Sequence, residues 1–150
     1  MTASVRESIL VDVLSAVAAI NGLAPFETAL KKRSRDFLPP EKLNSSDYPA
    51  LFVTGGNEAK EFGVYGKMRA RLNVELRGFV RRRTGIPLST DVNALMADAE
   101  RAVIADPTRG GLALVTKPLD ATVDELSIAD DIGGFLLPFE VDYFYDIGSP

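Results

Sequence analysis

M-R-A-R-L-N-V-E-L-R-G-F-V-R-R-R, residues 68–83, is the stretch that decides the fold. Met68, Ala70, Leu72, Val74 and Leu76 fall on one parity, and Arg69, Arg71, Asn73, Glu75 and Arg77 on the other. A period of two is what a strand shows when it buries one face and wets the other, so the stretch predicts a long central antiparallel strand. Phe79 breaks the parity directly after Gly78, which predicts a β-bulge that swings Phe79 back to the apolar face. The simplest reading of the arginines is a solvated sheet face. Six of them in so short a segment, Arg69, Arg71, Arg77, Arg81, Arg82 and Arg83, also suit a face that meets carboxylates or phosphates.

Outward from this strand, the second strong signal lies near the end of the chain. Phe135, Leu137, Phe139, Val141, Tyr143 and Tyr145 share one parity, with Glu140 and Asp142 on the other. Ala50–Val53 predicts a buried strand, with residues 54–57 turning out of it and Gly63 and Gly66 flanking a hairpin. Ser4 and Glu7 have the spacing of a capping box, and Ile9, Leu10, Val13, Leu14 and Val17 repeat at helical spacing, so a helix is expected from about Val5 to Ile20. A second helix, capped by Ser89 or Thr90 and ending near Asp106-Pro107, carries Val92, Leu95, Met96, Ala99, Ala102 and Val103 on one face and Asp98 on the other. Weaker alternation suggests strands at residues 26–30 and 121–128. Lys31 to Arg35 then reads as a basic turn, and residues 130–134 as another turn. The order gives an α+β class, a mostly antiparallel β-sheet with two principal amphipathic helices packed on one face.

A chain of 150 residues fits one sizeable core, so a single domain over residues 1–150 is expected. No run approaches the roughly 20 apolar residues that cross a bilayer, and no signal-peptide pattern is evident, so no membrane partner is expected. Cysteine and histidine are both absent, which removes thiolate chemistry, disulfides, the commonest general base and the commonest zinc ligand. Charge is unevenly spread. Residues 1–83 hold fourteen Lys and Arg against nine Asp and Glu, and residues 84–150 hold three against twelve, an asymmetry neutralised either within the fold or between copies.

No phosphate-binding or dinucleotide-binding glycine pattern is present, and Asp130 and Asp131 lack the ligand spacing of a calcium loop. An enzyme reading would gather Asp130, Asp131, Glu140 and Asp142 around magnesium, but spacing alone does not bring them together. No catalytic residue, metal or cofactor is therefore expected. The Lys31–Arg35 cluster has the charge of a nucleic-acid contact without interleaved aromatics or a reading helix, and a protein-contact loop explains it equally well.

Six segments taken in order carry a resemblance to a known family: V-D-V-L-S-A-V-A-A-I from Val11, Y-P-A-L-F-V from Tyr48, L-N-V-E-L-R-G-F-V from Leu72, D-V-N-A-L-M-A-D-A-E-R-A-V from Asp91, D-P-T-R-G-G-L-A from Asp106 and F-L-L-P-F-E-V-D-Y-F-Y from Phe135. Together they resemble the tail terminator and tail-completion proteins of long-tailed bacteriophages. The resemblance implies a structural virion protein, assembled in the host cytoplasm and placed at the head-proximal end of the tail. There a homo-oligomer, a hexameric ring, would stop polymerisation of the tail tube protein, join the head-tail connector or neck protein, and leave a passage in nonspecific contact with DNA. A head-completion or neck role is the alternative. For such a ring the candidate interface or channel residues are Lys31, Lys32, Arg33, Arg35, Arg69, Arg71, Arg77, Arg81 and Arg82, and the candidate acidic partner surface is Asp124, Asp130, Asp131, Glu140 and Asp142.

Overall fold

Residues 3–124 and 131–150 are described by a computed structural model. The two strongly alternating stretches are its central strands. β3 (Lys67–Arg81) and β6 (Ile132–Asp146) pair antiparallel in one unbroken register, from Lys67 opposite Asp146 to Arg81 opposite Ile132. β2 (Ala50–Phe62) pairs antiparallel with the other edge of β3, and β1 (Lys32–Ser34) adds a short parallel strand outside it. β4 (Val115–Pro118) and β5 (Thr122–Asp124) both pair antiparallel with β6, giving a six-stranded sheet ordered β1-β2-β3-β6-β4.

Both helices cover one face of this sheet. Ile9, Leu10, Val13 and Val17 of α1 (Val5–Val17) and Val92, Leu95, Ala99, Ala102 and Val103 of α2 (Leu88–Ile104) pack against Leu51, Val53, the even positions of β3 and the odd positions of β6. The observed class is thus the expected α+β arrangement. At the start of α1 only half of the predicted capping box forms. Ser4 Oγ accepts from the Glu7 amide at 3.1 Å, whereas the Glu7 carboxylate turns to the Arg35 guanidinium, a charged donor that outcompetes a backbone amide. α2 starts earlier than expected. Pro87 is its N-cap, with no side-chain cap, and Asp91 in the first turn supplies the negative charge that suits a helix N-terminus.

The bulge expected at Gly78 is absent. Gly78 stays in register opposite Phe135 and keeps the even parity, and a Cβ there would lie 2.3 Å and 2.4 Å from the Phe135 ring. The glycine is room for that ring. Phe79 consequently points to the opposite face, where Phe37, Phe52 and Phe79 stack with centroids 5.6–6.1 Å apart and Ala50, Ile132, Leu38, Leu43 and Tyr48 complete a second, smaller core. Parity alone did not reveal that one end of the wet face is roofed by residues 37–48. The real bulge is in β2 between Gly55 and Glu58, so residues 54–57 continue the strand instead of leaving it, and the shift turns Glu58 toward Tyr143 on the helix-covered side.

Three weaker expectations also change. Residues 26–30 make only an isolated bridge, Ala29 with Asn21, because the amides of Glu27 and Thr28 go to the Asp98 carboxylate of α2 instead of a strand partner. The basic turn is strand β1 in its middle. Gly133 and Gly134 belong to β6, where Gly133 lets Val92 and Leu88 of α2 approach and Gly134 faces the Phe79 ring. Of the strand expected at residues 121–128, β5 covers 122–124 and residues 125–128 lie outside the described residues.

Candidate functional site

The end of β3, the start of β1 and the first turns of α2 enclose an open cleft of about 610 Å³. Lys31, Arg81, Arg82 and Arg83 line it, with Glu27 and Asp91 as its acids and Tyr48, Ser45, Thr28 and Thr90 as its hydroxyl groups. Lys31 and the run from Arg81 to Arg83, some fifty residues apart in sequence, meet here. Arg83 donates to both oxygens of Asp91, at 2.9 Å and 2.7 Å, and this pairing raises its pKa further above the ordinary arginine value. Burial raises the Tyr48 pKa above the ordinary phenol value, against a smaller downward pull from Arg81. Among the described residues, cationic and acidic side chains both line this rim, which suits charge-assisted contact with an incoming carboxylate or phosphate.

One wall of the cleft is placed by a residue the sequence reading put on the solvent side of its helix. Asp98 is 0% exposed. Its Oδ2 accepts from the amides of Glu27 and Thr28 at 3.0 Å and 2.8 Å, and its Oδ1 accepts from Arg101 at 2.7 Å; Arg101 also donates to the Pro25 carbonyl at 3.2 Å. The signal was present in the spacing, since position 98 is three residues after Leu95 and four before Ala102, on the apolar stripe. Arg109, 1% exposed, was also missed. Its guanidinium donates to the carbonyls of Val103 and Asp106 at the C-terminal end of α2 and lies 3.2 Å from Asp12 of α1, tying the two helices together; burial lowers its pKa.

The other basic residues do not converge. Lys32 lies in β1, Arg33 donates to the Leu14 carbonyl at the end of α1 at 3.1 Å, and Arg35 holds Glu7. On the open sheet face Arg69 sits between two carboxylates. It donates to Asp142 of β6 through Nε at 3.0 Å and through Nη2, and lies 3.5 Å from Glu61 of β2, which Arg71 also approaches at 3.4 Å. Asp142 is 4% exposed, and the hydrogen bonds from Arg69 hold its pKa below the ordinary carboxylate value. Arg77 lies 3.4 Å from Glu75 and 5.2 Å above the Phe37 ring.

The acidic set is likewise spread out. Asp124 ends β5, Asp131 is exposed and its carbonyl accepts from the Arg82 amide at 2.7 Å, Glu140 faces Lys117 across β6 and β4, and Asp130 lies outside the described residues. Among the described residues no group of three or more acidic side chains is placed to hold a metal ion. Arg69 with Asp142, Lys67 with Asp146 and Arg83 with Asp91 join the basic and acidic halves, so part of the charge asymmetry is neutralised inside the chain.

No protein-family model and no curated protein matches this chain. Its fold is similar to that of one solved chain. A chain in the solved structure described as the virion of a native gene transfer agent (GTA) particle superposes with a TM-score of 0.50 at 15% identity, over 96% of this chain and 100% of that one. At that identity the likeness is one of fold.

Proposed function

We propose that this chain is a structural component of a phage-like virion, and within it the tail terminator. In this reading a ring of copies caps the tail tube, stops its polymerisation, offers the joining surface to a head connector or neck protein and leaves a passage for DNA. The observation that carries the proposal is likeness of fold to a virion chain, over 96% of this chain and 100% of that one. The ordered resemblance of six sequence segments to tail terminators supplies the finer role.

The site chemistry is consistent with a joint. The cationic cleft and the arginines of the open sheet face offer charge-assisted contacts to carboxylates of a neighbouring copy, a tube protein or a connector. The same cations turned toward the passage give weak, sequence-independent attraction to phosphate, which lets DNA move.

Imaging of particles assembled without the protein tests the role. Overlong or continuously polymerising tails are the expected result; tails of normal length with leaking heads would move the protein to the neck, and full infectivity would overturn a virion function altogether.

A further inference from the structure

The β2–β3 hairpin ends in a four-residue turn, residues 63–66, closed by the Gly63 amide donating to the Lys67 carbonyl at 2.8 Å and the Lys67 amide to the Val64 carbonyl at 3.2 Å. Tyr65 occupies the left-handed region at φ 56, where glycine or asparagine is the ordinary occupant, and it is 98% exposed. Phe62 and Val64 beside it are 82% and 70% exposed. The tip is nonetheless anchored: Gly63 backs onto the Phe144 ring, and the Gly66 carbonyl accepts from the Ile147 amide at 2.9 Å. A strained but anchored backbone thus holds a contiguous apolar knob in water.

The same chain carries a largely apolar concavity. On the open sheet face Phe37, Pro39, Pro40, Phe79 and Leu136 line a groove of about 330 Å³, with the Arg77 guanidinium at its side. Proline rings, a phenyl face and a guanidinium plane are the surfaces on which an incoming aromatic ring stacks. Knob and groove sit at opposite ends of β3. From Lys67 to Gly78 the strand rises roughly 36 Å at about 3.3 Å per residue, so a chain cannot fill its own groove.

We infer that the hairpin tip of one copy seats in the Phe37–Phe79–Leu136 groove of the next. The two patches differ, so the contact is heterologous and leads head to tail into a ring where the rotation closes. Two aromatic rings of about 150–250 Å² each supply roughly half of the about 800 Å² per partner that a stable interface buries, so the knob anchors a contact completed by the surrounding faces. The inference rests on the ring-forming reading above and names the contact that reading lacks.

Because the chain has no cysteine, single substitutions give a clean test. Purified Val64→Cys and Glu41→Cys chains, which keep Tyr65 and Leu136 and place the thiols beside the knob and on the groove lining, mixed and oxidised, should give a dimer cross-linked between positions 64 and 41 in clear excess over same-position dimers, read by mass spectrometry of the joined peptides. In sedimentation velocity Tyr65→Ser and Leu136→Gln should each abolish self-association, and their mixture should restore a dimer and nothing larger, since only one intact knob and one intact groove remain. Leu136→Gln leaves the Phe37–Phe52–Phe79 stack untouched, and circular dichroism verifies the fold of both variants. Same-position products alone, or a mixture that remains monomeric, would overturn the contact. If Tyr65→Ser restores normal tails to particles lacking the protein, the contact falls and the terminator role stands; a deletion without phenotype removes the role whatever the cross-link shows.

Discussion

Gly78→Ala is the substitution that separates the observed strand geometry from a bulge. Gly78 lies in an unbroken antiparallel register and is not among the glycines with positive φ, so its backbone is one that alanine adopts freely. Backbone entropy alone would then make alanine stabilising by about 0.4–1 kcal/mol. Sterics oppose this. The new Cβ would sit 2.3 Å from Phe135 Cε1 and 2.4 Å from Cζ, where ordinary contact begins at 3.4 Å, and Leu95 Cδ2 at 3.1 Å closes the other side. The ring is buried between α2 and the sheet and has little space into which to retreat, so overpacking of about 1–3 kcal/mol wins and the net effect is destabilising.

Urea unfolding of the wild type, Gly78→Ala, Phe135→Ala and the double variant measures this as a cycle. Phe135→Ala should cost about 3–5 kcal/mol alone. With the ring gone, Gly78→Ala should be neutral or slightly stabilising, giving a coupling of about 1–3 kcal/mol. Costs that add to within about 0.5 kcal/mol would refute the account, because the penalty would then come from the backbone and not from the ring.

Other substitutions probe the remaining layers. Leu72→Ala, at a fully buried site on the even face of β3, should cost about 2–5 kcal/mol in the same assay with an unchanged m-value. Asp98→Ala leaves two amides of the 21–30 segment and the Arg101 guanidinium without their acceptor; a loss of about 2–3 kcal/mol and faster proteolysis near Pro25 are expected. Arg69→Ala strands the buried Asp142 carboxylate and should lower the thermal midpoint, whereas Arg71→Ala, whose partner Glu61 is exposed, should not. Asp142 has a native pKa below its unfolded value, so its contribution is complete above the ordinary carboxylate range near pH 4 and is lost as pH falls through the lowered native value. Acid unfolding of Asp142→Asn should lack that limb, and an unchanged acid limb would dismiss the pair as a source of stability.

Alternation along residues 68–77 and 135–145 determined the two central strands, because a one-residue slip would carry an entire apolar set into water. Helical spacing likewise determined which faces of α1 and α2 are buried, and composition removed histidine and cysteine chemistry at the outset. Tertiary structure alone decided what lies over the second face. Phe79 looked like a parity error that needed a bulge, and it is the floor of a small core, because residues 37–48 fold back over one end of the sheet. Gly78 and Gly134 looked like breaks, and each is space for an aromatic ring on the paired strand, a relation set by register between residues more than fifty apart. The basic run from Lys31 to Arg35 looked like one patch, and the fold sends Lys31 to a cleft with Arg81, Arg33 to the end of α1 and Arg35 to Glu7. Periodicity fixes which side of an element is buried because burial is a local, repeating property of the chain; which charges and rings meet depends on contacts between distant segments, and no local pattern encodes them.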